Sequence, residues 1–401
     1  MAALTVQRSI KPRRLCRLLL LPLPLLALVL STGCWDIKTI QDINYVTAIG
    51  FDYKDGKYIA HVQMLNLSNV AKQEGGQVTE PGGVWVGHAS GNSVLEAMYN
   101  IYKSAQQAIY WGHVSSLVLT EEALSQGMDG FVFDGLVRFR EIRLTMWVFS
   151  TKEPLEKLLT VRPFFNLSPL SSILHQPGDN YSQRTSLEPI MLYSLMRNWR
   201  EPGQTSVIPT LSIATDAWQQ DTKPDPKLML SGMHVVEKGH TKLWAAEQRL
   251  SGFKWLQPSA NRILLPIAYD AESEVSLSLT NLRHRITLDD GTGSPVFRIS
   301  LRCDGRIAES DEKLDMKLLE QKAEEHIEQE IRKTLDDMKK NNVDIYSLEH
   351  ILYRKSFTRW KSLTKAGRKM LSDYEVQSID VDVRLRYSGM YKNREMPARE
   401  Y

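Results

Sequence analysis

Three features of the sequence predict an α+β fold of more than one domain, with mixed and antiparallel sheets carrying packed helices. Residues 379–387 alternate without a break: Ile379, Val381, Val383, Leu385 and Tyr387 are apolar, and Asp380, Asp382, Arg384 and Arg386 stand between them. A period of two marks a strand that buries one face. Upstream, Leu319, Ala323, Ile327, Ile331 and Leu335 recur every four residues among glutamates and lysines. That is one amphipathic helix over roughly 311–340. Ahead of it, apolar runs follow one another with turn signals between them, so the C-terminal unit reads as an antiparallel sheet plus one long helix. A chain of 401 residues holds about two or three domains and an ample core. The expected division is a leader over 1–33, an N-terminal α/β domain over 34–204, a middle α+β domain over 205–270, a C-terminal α+β domain over 271–390 and a polar tail over 391–401.

The leader comes first. Arg8, Lys11, Arg13, Arg14 and Arg17 precede a leucine-rich run from Leu18 to Leu30. At about 13 residues the run suits a signal-peptide core and falls short of the ~20 that a membrane span needs. Pro22 and Pro24 weaken it further as a span. Leu30-Ser31-Thr32-Gly33-Cys34 then reads as a lipoprotein signal, although Ser31 stands where leucine is usual. Cleavage between Gly33 and Cys34 would leave Cys34 carrying a diacylglycerol, and two acyl chains make a stable anchor. The alternative is ordinary signal cleavage with Cys34 as a free exported thiol.

Past the leader, Tyr45–Asp52 and Tyr58–Leu65 flank Lys54-Asp55-Gly56-Lys57, a β-hairpin pattern. A glycine-bearing loop follows over 67–83, then a strand over Val84–Ala89. Ser93 with Glu96 forms a capping box for a helix to about Ser104. A strand over His113–Leu119 ends at Thr120, which caps a short helix from Glu121 to Gln126, closed by Gly127. Residues 131–139 read as helix, Leu144–Phe149 as strand, and Ile190–Trp199 as an apolar helix. The prolines of 201–226 mark a join between units. Strands are then expected over Met229–Glu237, Ile263–Tyr269, Val275–Thr287 and Val296–Leu301.

Composition narrows the function. The formal charge is +3, but residues 1–33 hold five basic side chains and no acids. The mature chain therefore has 45 Lys+Arg against 47 Asp+Glu, or −2, which gives no electrostatic case for nucleic acid. Of the three cysteines, Cys16 would leave with the leader, Cys34 is the expected lipid site and Cys303 remains alone. Cys303 ends a strand-like run, where a thiol packs as a small buried residue.

No G-x-S-x-G elbow, P-loop, H-E-x-x-H helix or metal-spaced cysteine pair occurs. Glu325, His326 and Glu328 could be drawn as metal ligands, yet they belong to a solvated helix face. Trp111-Gly112-His113 sits at a strand entrance, and a buried structural histidine is the stronger reading there. Asn66-Leu67-Ser68 and Asn166-Leu167-Ser168 match a glycosylation pattern of little meaning in a bacterial chain. Asp380 and Asp382 share a strand face and are expected solvated or paired with basic residues. No cofactor, metal or catalytic set is expected.

Four stretches carry a family resemblance. The first is Gly33-Cys34-Trp35-Asp36 with Tyr45-Val46-Thr47-Ala48-Ile49-Gly50-Phe51-Asp52. The second runs from Gly112-His113 through Leu117–Glu122 to Leu136-Val137-Arg138-Phe139-Arg140-Glu141. The third is Ser231-Gly232-Met233, with Leu243 and Glu247 beyond. The fourth joins Asp344, Trp360, the 379–387 strand and Ser388-Gly389. Together they resemble the Ger(x)C proteins, the lipoprotein C subunits of spore-germination nutrient receptors. Thr39 departs from a common acidic residue, and Tyr346-Ser347-Leu348 replaces a more glycine-rich turn. The resemblance implies three α+β domains and a subunit without enzymatic activity. It implies a lipid anchor on the outer face of the cytoplasmic (inner spore) membrane. It also implies two integral-membrane partners there, an A-type and a B-type receptor subunit. The runner-up is a solute-binding lipoprotein of an importer, which would need two similar lobes of parallel βα units.

Overall fold

The computed structural model describes residues 43–65, 83–128, 135–270, 273–289, 291, 293–309, 314–365 and 373–386. The leader, the 391–401 tail, Ser388-Gly389 and all but Gly83 of the 67–83 loop lie outside them.

Strands β1 (Ile43–Lys54) and β2 (Lys57–Leu65) form the expected hairpin. Asp55 and Gly56 have φ of 52° and 76°, and two successive positive φ angles give the tight turn whose twist suits antiparallel strands. Strand β3 (Val84–Gly91) adds antiparallel to β2. Ser93 caps α1 (Val94–Ile101), its Oγ accepting the Glu96 N–H at 3.1 Å. The Glu96 carboxylate reaches back to the Asn92 N–H at 2.8 Å, one residue further than in the usual capping box. Helix α1 stops at Ile101, and turns occupy 102–104.

Strand β4 (Ala108–Tyr110) pairs with β1, and β5 (Ser116–Thr120) runs parallel to it. Residues 113–115 are loop, so β5 starts later than expected. Thr120 caps α2 (Glu121–Ser125), and Gly127, at φ 79°, follows the helix. Of the helix expected over 131–139, residues 131–134 lie outside the described residues. Residues 135–136 lie in a π-helical turn and 137–138 in a plain turn, not in an α-helix.

Strand β6 (Trp147–Thr151) continues the parallel run beside β5. Then come α3 (Leu155–Thr160), α4 (Pro177–Gln183), the two-residue β7 (Ile190–Met191) and α5 (Leu192–Arg200). The segment 201–226, expected as a join, carries the ten-residue strand β8 (Thr205–Ala214) and a small ribbon of β9 (Gln219–Gln220) and β10 (Lys223–Pro224). Pro209 does not break β8, because pairing with β6 begins only at Thr210, just past the missing N–H. Strands β11 (Lys227–Glu237) and β12 (His240–Ala246) complete the first sheet, in the order β12-β11-β8-β6-β5-β1-β2-β3. The sheet thus passes without interruption from residues before 204 to residues after it.

The second sheet has the order β13-β14-β15-β16. Strands β13 (Arg262–Ala268), β14 (Glu274–Leu288) and β15 (Val296–Glu309) are antiparallel neighbours. Helix α6 (Met316–Asn341), α7 (Leu348–Lys355) and α8 (Phe357–Lys365) then carry the chain across to β16 (Glu375–Leu385). The antiparallel expectation is corrected at this last pair, because β16 runs parallel to β15. The long helical crossover permits that direction, which a tight turn could not.

Helix α6 buries Leu319, Ala323, Ile327, Ile331, Thr334, Leu335 and Met338, the predicted stripe and two residues more. Asp315 caps its start and Asn342, at φ 52°, its end. The core beneath it also takes in Met233, Val235 and Ala245 of β11 and β12, so it joins the edge of the first sheet to the second. Two further cores cover the faces of the first sheet. One packs α1 and α5 against Ile49, Phe51 and Leu117. The other packs Leu155, Leu158 and Leu159 of α3 against Ala48, Val118 and Phe149.

Candidate functional site

A cleft of about 620 Å³ lies between the sheets. Tyr193, Arg197 and Asn198 of α5 line one wall, and His284, Arg285 and Ile286 of β14 line the other. The segment 253–258 and residues 345–347 make up the rest of the boundary, together with the first residues of β8.

Side-chain clamps hold that boundary. Gln257 donates to the Ser186 carbonyl and accepts from the Glu188 N–H, both at 2.6 Å. Ser347 adopts φ 54°, a conformation that glycine enters freely and other residues at a cost. Its Oγ accepts from the Thr205 N–H at 3.1 Å and from the Gln204 amide at 3.2 Å. Asp344, 4% exposed, accepts from the Glu349 N–H, while its own N–H donates to Glu237 of β11. Trp360 donates its indole N–H to Glu349 at 3.0 Å. Asp344 and Trp360 thus belong to one structural junction that fixes α7 and α8 beside the cleft.

Two serine–histidine pairs, one fully buried and one with a half-buried serine, test for acyl-transfer chemistry. His234 Nδ1 lies 2.8 Å from Ser150 Oγ, and its Nε2 lies 3.6 Å from Glu121. The composition is that of a nucleophile, base and acid. However, Ser150 and His234 are both 0% exposed, and Ser150 also bonds Thr210. No substrate can reach that oxygen. His175 Nδ1 lies 2.6 Å from Ser115 Oγ, and its Nε2 donates to Gln63, whose own amide donates to the Leu159 carbonyl. Burial pushes both histidines down to about 4, so they stay neutral at physiological pH. These networks pair polar groups at the centre of the first sheet, and only His234 Nε2 among these ring nitrogens is left without a hydrogen bond.

The residues singled out from sequence separate into groups. Gly33 and Cys34 lie outside the described residues, as does Asn66; the side chain of Asn166 is not described. Glu328 pairs with Arg332 and His326 sits 4.0 Å from Glu330, so Glu325, His326 and Glu328 form no joint site. His113 corrects the buried-histidine reading: it is exposed on a turn, edge-on to Tyr45 and Tyr110. The buried member of that triplet is Trp111, whose indole N–H donates to the Tyr102 hydroxyl at 2.7 Å. Asp382 pairs with Arg302 across the sheet at 2.7 Å and with Arg384 along its own strand. Sequence reasoning missed His61, His88 and Glu156, which do converge among the described residues. Their only sequence signal is two histidines at facing positions of neighbouring strands, and the pairing register had to be known to see it.

Among the described residues no helix is long and apolar enough to cross a membrane. Residues 36–213 match the family model for the spore germination protein N-terminal domain, and residues 231–389 match the model for the spore germination B3/GerAC-like C-terminal domain. The chain is 24% identical to spore germination protein KC of Bacillus subtilis (strain 168) over 395 residues, 94% of this chain and 97% of that one. The crystal structure of the GerBC protein superposes with a TM-score of 0.51 at 13% identity, over 87% of this chain and 99% of that chain, which is a likeness of fold.

Proposed function

We propose a receptor-subunit role for this chain, which belongs to the Ger(x)C family of spore germination proteins. In this reading it is held by a diacylglycerol on Cys34, after cleavage at Gly33–Cys34, on the outer face of the cytoplasmic (inner spore) membrane. It docks there with an A-type and a B-type integral-membrane subunit and contributes contacts rather than catalysis. The observation that carries the reading is the match of both halves of the chain, in order, to the two spore germination domains. The sealed Ser150–His234 pair supports a role without catalysis, since a nucleophile with no access has no substrate. The importer reading finds less support. The first sheet mixes parallel and antiparallel strands, and the second is a different, four-stranded sheet rather than a matching lobe.

Two measurements test the proposal. Cys34→Ala should move the chain from the membrane fraction to the soluble fraction; a variant that stays bound after a high-salt wash would remove lipid as the tether. Co-purification from detergent-solubilised spore membranes should recover two integral-membrane proteins with the wild-type chain. Recovery of an importer permease instead would sink the receptor reading.

A further inference from the structure

His61 and His88 face each other directly across β2 and β3, with ring centroids 5.6 Å apart. On β1, the residue opposite His61 is Gly50. A Cβ on Gly50 would stand 2.9 Å from Leu155 Cδ2, so the missing side chain lets α3 lie close against the sheet. That approach brings Glu156, in the first turn of α3, to 3.6 Å from His61 Nδ1. One ligand atom from each of the three residues then lies within 4.8 Å of the other two.

The His61 nitrogen makes this a site rather than a coincidence. The side chain is 4% exposed, and its Nδ1 is buried without any hydrogen-bond partner. A buried nitrogen left without a partner is destabilising, and here it points at a carboxylate beside a second imidazole. His88 and Glu156 are exposed, so both can move toward a common centre, and β3 is the edge strand of its sheet.

We propose that His61 Nδ1, a ring nitrogen of His88 and one carboxylate oxygen of Glu156 bind a divalent cation of the zinc class. Two imidazoles and a carboxylate suit a borderline ion, with bonds of about 2.0–2.2 Å. Around a tetrahedral ion such bonds separate neighbouring ligand atoms by roughly 3.4 Å. Closing to that spacing calls on the side chains of His88 and Glu156, the two exposed members of the cluster. The fourth position faces solvent at the sheet edge. The cation would tie edge strand, neighbouring strand and helix together at one point.

The test is metal binding to the mature lipidated chain in detergent, stripped with chelator and titrated with Zn²⁺ and, in a parallel sample, with Co²⁺. The expected result is one equivalent bound, a rise in Tm with the metal, and cobalt absorption bands of a low-coordinate nitrogen–oxygen site. His88→Ala and Glu156→Gln alter exposed groups and should melt like the metal-free wild type. Each should weaken zinc at least 10-fold and abolish its effect on Tm. His61→Asn should do the same, although a change at a buried position can also disturb folding, so the two exposed variants are the decisive ones. Absence of stoichiometric zinc, or wild-type affinity in His88→Ala, would overturn the site.

Discussion

Asp344 shows how one residue can link fold and pH. Burial raises its carboxyl to about 7 against the help of backbone donors, and the carboxylates of Glu237 and Glu349 add to the rise. The unfolded chain titrates near 3.9. Between those values the folded state binds more protons, so this group makes stability fall as pH rises from about 4 to about 7. Asp344→Asn keeps an acceptor for the Glu349 N–H and removes the titration. Its Tm should therefore gain on the wild type between pH 5 and pH 8; a gap that stays constant would point to another group. Cys303 gives a second residue-level expectation. It is 1% exposed, and burial, with Asp304, Asp382 and Glu324 nearby, pushes its thiol up to about 12. A maleimide should leave the native chain unlabelled at this position and react once guanidinium unfolds it. The burial of Cys303 was legible from its strand-like run. That of His175 and His234 was not, because neither sits in a local pattern and their partners lie 60 and 84 residues away in sequence.

Helix α6 does more than cover a sheet. Strand β16 is an edge, and an edge presents unpaired N–H groups to other chains. Glu324 and Glu320 reach from α6 to accept the N–H groups of Val383 at 3.0 Å and Leu385 at 2.8 Å. The opposite flank of the helix is held by Thr334, which accepts the Gly252 N–H, and by Glu330, which accepts the Trp255 indole N–H. A Cβ on Gly252 would collide with the Glu330 carbonyl, so glycine is required for that contact. The double variant Glu320→Ala, Glu324→Ala should lose about 1–3 kcal/mol in denaturant unfolding. It should also aggregate faster on heating, because the edge is uncovered. Unchanged aggregation would show that the helix glutamates do not guard the strand. The buried stripe of α6 and the alternation of β16 were readable from sequence, since each is a short-range periodicity. The glutamate caps were not, because they depend on where helix and strand meet.

At the scale of the whole molecule, the proposed anchor and the shape of the chain bear on one function. Confinement at a membrane raises the effective concentration of a docking surface, so a weak contact can suffice. A form lacking residues 1–34 should therefore fold with the wild-type circular dichroism spectrum yet fail to support germination at native abundance, with partial recovery on large overexpression. Saturable micromolar binding of an amino acid or sugar to that form, measured by calorimetry without partners, would make the chain a sensor instead. What the sequence determined by itself was whatever a local pattern encodes: the Asp55-Gly56 hairpin, the Ser93 and Thr120 caps, the stripe of α6 and the one-sided strand β16. Tertiary structure alone decided that β16 runs parallel to β15, that β8 is an interior strand rather than a join, and that His61, His88 and Glu156 meet. The reason is physical. Turns, caps and amphipathic periods arise from contacts within a few residues, whereas strand pairing and site assembly arise from burial shared between segments far apart, for which a single sequence carries no local mark.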